Sequence, residues 1–109
     1  MTPLIEAAAV GEDAYSHAEA TVAGEPASLV LIRVEGQVRA WHNVCPHAGR
    51  RLDWAPGRFL VDKAGHLVCA AHGASFRRAD GLCVAGPCKG QSLVAVAVEE
   101  RDGQVWLAD

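Results

Sequence analysis

At 109 residues the chain is long enough for one domain with a modest core and too short to hold a second, catalytic domain. Half of it is apolar, 21% is charged, and 11 Gly and 5 Pro interrupt it often, which excludes a disordered segment and describes a turn-rich globular protein. The formal charge of -3 is unevenly spread: residues 39–89 hold eight Lys or Arg against three Asp or Glu, and the remainder two against ten, so the middle of the chain is the part able to steer an acidic partner.

The first ten residues contain Glu6, no basic residue and no apolar core of signal-peptide length. The apolar run Leu93–Val98 is six residues long, against the roughly 20 that a membrane helix needs. The expectation is a soluble, cytoplasmic protein with neither membrane nor nucleic acid as a partner. In a reducing cytosol, four cysteines point to metal binding or burial rather than to a disulfide frame.

In chain order, residues 1–26 are Ala-rich and carry only a weak strand signal at Pro3-Leu4-Ile5, read as an early edge strand. His17 has no partner at ligand spacing and reads as a surface histidine. Ser28–Val34 is apolar and β-branched, Glu35-Gly36 is a turn, and Gln37–Trp41 alternates, which predicts a hairpin whose return strand runs into a loop at Cys45. His42, at the end of that strand, reads as structural or surface. Arg58–Asp62, the turn Lys63-Ala64-Gly65 and His66–Cys69 predict a second hairpin leading into a second loop, with His66 facing solvent. Asp80-Gly81 predicts a third hairpin, after Ser75–Arg78. The Pro-stiffened segment Ala85–Gly90 follows, and Leu93–Val98 and Gln104–Leu107 are read as the last two strands, joined at Asp102-Gly103. No helical repeat is sustained, so the fold class is all-β, built from short antiparallel strands.

The two loops carry the chemistry. Cys45-Pro46-His47 and Cys69-Ala70-Ala71-His72 each put one thiol and one imidazole among small, turn-forming neighbours, which let a backbone approach a bulky inorganic centre. A tetrahedral zinc ion accepts two Cys and two His. Zinc sites, however, usually pair Cys with Cys and His with His, whereas here each segment is mixed and the two are separated by 21 residues between His47 and Cys69. A mixed order suits a 2Fe-2S cluster whose irons differ in ligand type.

The segments Cys45-Pro46-His47-Ala48-Gly49 with Leu52, Cys69-Ala70-Ala71-His72-Gly73 with Phe76, and Gly81–Pro87 resemble those of the Rieske family, over about residues 28–107. The resemblance implies antiparallel β-sheets of Rieske type, with two hairpin-borne cluster-binding loops, and one domain over residues 1–109 whose cluster-binding part is about 39–90. It also implies Cys45 and Cys69 on one iron and His47 and His72 on the other, with the two histidines as the outlet for the electron. The interval between the loops is longer than the family usually has, and the Trp54–Asp62 segment is the expected place for the extra length.

Two thiolates and two neutral imidazoles leave the cluster less negative than four thiolates would, so one-electron reduction is easier. High-potential members of the family resemble one another in a Ser and a Tyr after the second loop and in a disulfide between the loops. Here Ala74 and Phe76 lack the hydroxyls, and Arg50 and Ala71 stand where the extra cysteines would be. The expectation is a low-potential electron carrier, not itself an enzyme, that passes electrons from a reductase to a terminal enzyme such as a ring-hydroxylating oxygenase. A small subunit of a nitrite reductase-like complex and a zinc-binding structural module are the alternatives. Cys83 and Cys88 are expected to be buried thiols, with a short disulfide between them as the other possibility.

Overall fold

The computed structural model describes residues 2–46, 49–69 and 73–108. Among these residues the regular structure is almost entirely β: ten strands in three antiparallel sheets, and one 3-10 turn at Ala7–Ala9. The chain forms two compact units, residues 1–42 with 95–109 and residues 43–94.

The first unit contains two three-stranded sheets. One pairs β2 (Ser16–Val22), β3 (Glu25–Val34) and β4 (Gln37–His42); the other pairs β1 (Thr2–Glu6), β10 (Gln104–Leu107) and β9 (Val98–Arg101), with β1 at an edge as expected. Each hairpin is closed by a two-residue turn ending in Gly: Ala23-Gly24, Glu35-Gly36 and Asp102-Gly103. All six of these residues have positive φ, from 50° to 83°. That is the turn geometry whose twist matches antiparallel strands, and glycine at the second position adopts it without strain.

Alternate residues of these strands face one apolar cluster of Leu29, Leu31, Ala40, Val105 and Leu107, joined by Ala7, Val10 and Val96. Arg33 closes the polar side. Its guanidinium donates to the carbonyls of Val10 and Ala7, each at 3.0 Å, and to the Glu100 carboxylate at 2.7 Å. The carboxylate of Glu12 accepts the N–H groups of Glu35 and Gly36 and so caps the β3–β4 turn.

The second unit holds one four-stranded sheet of much shorter strands, in the order β5 (Leu60–Val61), β6 (Leu67–Val68), β7 (Ser75–Phe76) and β8 (Cys83–Ala85). These are the second and third hairpins expected from the sequence. Their apolar interior includes Leu52, Leu67, Ala74, Phe76, Leu93 and the four cysteines.

Two expectations need correction. The Ala-rich start of the chain contains β2, in full register with β3 from Ser16 opposite Leu31 to Val22 opposite Glu25. Its strand signal is weak because it is rich in Ala and turns at Ala23, where a side chain usually disfavours positive φ. The run Leu93–Val98 is not a strand, since only Val98 enters β9. Leu93 and Val96 are buried while Val94, Ala95 and Ala97 are exposed, a spacing of three that a strand cannot hold on one face. The run meets β4 only at an isolated antiparallel bridge, Ala95 opposite Trp41, where the Val96 N–H donates to the Ala40 carbonyl at 2.9 Å.

Candidate metal centre

The two loops named by the sequence are built on the same backbone frame. In the first, the Cys45 N–H donates to the Arg50 carbonyl at 2.7 Å and the Gly49 N–H donates to the Cys45 carbonyl at 2.8 Å. In the second, the Cys69 N–H donates to the Ala74 carbonyl at 2.7 Å and the Gly73 N–H to the Cys69 carbonyl at 2.9 Å. Counted from each cysteine, the partners are the fifth and fourth residues in both cases. Gly49 and Gly73 close the loops with φ of 66° and 72°, a conformation that costs a side-chain-bearing residue about 1–2 kcal/mol.

Cys45 and Cys69 are both fully buried. His47 and His72, with Ala48, Ala70 and Ala71, lie outside the described residues, so the predicted histidine ligands are located in sequence within the framed loops and no further. Among the described residues, no group of three or more His, Cys, Asp or Glu side chains is placed to hold a metal. The donor set nonetheless fits a cluster. Two buried sulfurs at the bases of matched loops are the soft donors that an iron–sulfur centre takes.

Polar side chains brace the first loop from below. Asn43, 1% exposed, accepts the Leu52 N–H at 2.8 Å through its side-chain oxygen. Asp53 is also buried; it takes a two-point bond from Arg51, at 2.9 Å to each oxygen, and the Gly57 N–H at 3.2 Å. Burial pushes the Asp53 carboxyl up, but the bonds from Arg51, Asn43 and Gly57 outweigh it and hold it below the usual carboxylate range. Sequence reasoning passed over Asn43, Arg51 and Asp53. The only signal was that Asn and Asp, both turn formers, flank the first loop.

The other two carboxylates of this unit are likewise engaged. Asp62 accepts the N–H groups of Ala64 and His66 and faces His66 Nδ1 at 3.2 Å, so His66 is a half-buried turn residue rather than a free solvent-facing one. Asp80 pairs with Arg77 and takes the Leu82 N–H, and these bonds hold its carboxyl at about 2. With all three acids bound internally, Arg50, Arg58, Lys63 and Lys89 remain exposed without an ion partner among the described residues. His17 and His42 stand apart, in the first unit. His17 is half-buried, 4.0 Å from Glu19, and half-buried His42 lines a small cavity of about 330 Å³ with Val22, Ala95 and Leu107.

The third loop closes the second. Gly86, at φ 98°, lies so near Ala74 that an added Cβ would stand 2.7 Å from the Ala74 Cα, so only glycine lets the Pro87 loop reach the second cysteine loop. Cys83 and Cys88 are buried and unbridged, with Sγ atoms 3.1 Å apart. Burial, then the neighbouring sulfurs of Cys83 and Cys45, push the Cys88 thiol up to about 12.

The Rieske 2Fe-2S domain family matches residues 2–100, and the chain belongs to that family. Its cofactor is therefore a 2Fe-2S cluster, and its business is electron transfer. No protein with a curated description matches the chain. Among solved structures it is similar to the terminal oxygenase of carbazole 1,9a-dioxygenase from Novosphingobium sp. KA1, with a TM-score of 0.75 and 25% identity over 96% of this chain and 28% of that one. It is also similar to the corresponding oxygenase of Nocardioides aromaticivorans IC177, at 0.72 and 24% over 99% of this chain and 30% of that one. A ferredoxin of Sphingomonas yanoikuyae B1 matches at 0.70 and 24%, over 98% of this chain and 96% of that one. The chain thus spans little more than a quarter of the oxygenases it resembles, and the ferredoxin likeness is one of fold. Among the described residues, no helix is long and apolar enough to cross a membrane.

Proposed function

We propose that this chain is a one-electron carrier whose cluster is held by Cys45 and Cys69 on one iron and by His47 and His72 on the other. The observation that carries this reading is the repeated loop frame, which gives two buried cysteines the same backbone setting in two segments that each also contain a histidine. The bound cluster would supply reversible uptake of a single electron. The chain's own residues supply the rest. Cys45 and Cys69 provide buried sulfur, the Gly49 and Gly73 turns keep side chains out of the loops, and Asn43 and Asp53 fix the segment that leaves the first loop. In this reading residues 1–109 act as one Rieske domain, with its cluster-binding part at about 39–90.

The reading extends to a low potential. Ala74 and Phe76 are buried and present no hydroxyl to a cluster sulfur, and hydrogen bonds to sulfur raise the potential of such centres. Its partners are then a reductase and a terminal enzyme such as a ring-hydroxylating oxygenase. Support comes from a structural neighbour described as a complex between oxygenase and ferredoxin, and from the exposed, unpaired cations of the cluster-bearing unit, which favour an acidic partner surface. The test is a redox titration followed by EPR on protein analysed for iron and sulfide. Two of each with a rhombic signal and a midpoint below about +100 mV is expected, and a higher midpoint within the family's range overturns the low-potential assignment.

A further inference from the structure

Cys83 and Cys88 have no place among the four proposed ligands, yet they stand together in the third loop with Sγ atoms 3.1 Å apart. Both are 1% exposed. Backbone bonds close the loop at its base: the Cys83 N–H donates to the Gln91 carbonyl at 2.8 Å, the Gly90 N–H to the Cys83 carbonyl at 3.0 Å, and the Gln91 N–H to the Cys88 carbonyl at 2.9 Å. The thiols are aligned in series, the Cys88 S–H donating to Cys83 Sγ and the Cys83 S–H to the Ala85 carbonyl at 3.2 Å. Their cover is thin. Ala85, Gly86, Pro87, Lys89, Gly90 and Gln91 are all exposed, and Cys88 is the one buried residue between Ala85 and Ser92.

A disulfide holds its sulfurs about 2.05 Å apart, so the pair need close by only about 1 Å, which side-chain rotation supplies on a backbone already fixed. We propose that Cys83 and Cys88 are a redox-active dithiol, oxidised reversibly to a disulfide by a low-molecular-weight disulfide, and that the oxidised form fastens the third loop over the second cysteine loop. One thiol gives up its proton, attacks the S–S bond of the oxidant, forms a mixed disulfide and releases the first small thiol. The other attacks that mixed disulfide, the Cys83–Cys88 bond forms, and the second small thiol leaves. The pair loses two electrons and two protons, and the oxidant gains them. Oxidation strands no buried polar group, because the Ala85 carbonyl that loses its S–H donor belongs to an exposed residue and can take water. At 1% exposure neither sulfur reacts while the loop is closed, so exchange proceeds through opening of the loop. The new bond would span Gly86, the residue that meets Ala74 of the second loop, and so fix the segment that covers it. The pair lies outside the proposed ligand set, and its failure leaves that assignment standing.

The test incubates the cluster-loaded wild type in glutathione buffers of rising oxidised-to-reduced ratio, quenches with acid, alkylates free thiols in urea and maps the peptides by mass. The expected result is a Cys83–Cys88 disulfide that follows the buffer with a two-electron dependence and reverses in dithiothreitol, at unchanged iron and sulfide. Iron should pass from the oxidised form to a chelator about threefold to tenfold more slowly than from the reduced form, a difference that vanishes in Cys83→Ser and Cys88→Ser. Where the closed loop exchanges too slowly to equilibrate, the same position is approached from the other side, with the chain refolded around the Cys83–Cys88 disulfide and then loaded. A disulfide retained in the oxidised buffer with a full cluster supports the proposal, and a disulfide that opens there or prevents loading overturns it. A stable glutathione adduct on one cysteine, oxidation only with loss of the cluster, or an unchanged rate of iron loss overturns it equally.

Discussion

The two units of the chain are held together by different means. Residues 1–42 with 95–109 rest on strands of up to ten residues, two-residue Gly turns and a cluster of apolar side chains on alternate positions. Residues 43–94 have strands of two or three residues, all four cysteines, and a buried Asn and Asp that bond to loop backbone. Among the described residues, the exposed large apolar side chains, Val44, Trp54, Leu60, Val61 and Val94, also fall in this second segment. One unit is stabilised by burial along regular ladders. The other gives up ladder length to shape loops, and two-residue strands contribute little on their own. In the second unit the metal should therefore contribute to folding as well as to function.

The largest expected effect follows from that contrast. Cys69→Ala should abolish cluster binding, read as loss of stoichiometric iron and of the EPR signal. In the resulting apo protein, amide exchange should quicken across residues 43–94 while the β2–β3–β4 ladder stays protected. Uniform loss of protection would break the contrast between the units. Next is Leu31→Ala, a fully buried site in the ladder unit. It should cost about 2–5 kcal/mol in urea unfolding followed by circular dichroism, with unchanged EPR g values in protein that remains folded.

How much of this the sequence disclosed follows the same division. Glu35-Gly36, Asp80-Gly81 and Asp102-Gly103 announced their hairpins because turn chemistry is local, and the mixed Cys/His order of the two loops led to the family. Ala23-Gly24 hid β2, because an alanine at positive φ is chosen by the strand pairing around it and not by its own preference. Leu93–Val98 looked like a strand by composition, but its burial has a spacing set by tertiary contacts. The approach of Gly86 to Ala74 is long-range, and the bonds of Asn43 and Asp53 to loop backbone depend on how the loop turns, so residue spacing does not encode them.

Gly86→Ala tests the contact between the third loop and the second. The added methyl meets the Ala74 backbone, which cannot yield as a flexible side chain would, and the positive φ adds strain. A loss of about 1–3 kcal/mol is expected, with faster cluster loss on dilution into chelator. Asp53→Asn should cost less, about 1–2 kcal/mol, because Arg51 is half exposed and can turn to water. The Asp53 carboxyl is depressed, so its contribution is complete above the unfolded value near 3.9 and is lost as pH falls through the lower folded value. The variant should therefore unfold with a flatter dependence below about pH 4 than wild type does.

The smallest effect concerns Arg77 and Asp80, a pair with both side chains about half exposed. The Arg77 guanidinium, with the Leu82 N–H, holds the Asp80 carboxyl at about 2. Its stabilising contribution is whole above about 3.9 and disappears as pH falls toward 2, and solvent screening keeps it small at every pH. Arg77→Gln should let the Asp80 carboxyl rise toward its ordinary value in an NMR titration, with little change in unfolding. Should wild-type Asp80 already titrate near 3.9, the pair is open in solution. Arg77 would then join Arg50, Arg58, Lys63 and Lys89 as an exposed cation while Asp80 became an equally exposed acid, so the net charge of the cluster-bearing unit would be unchanged and only its local pattern would differ.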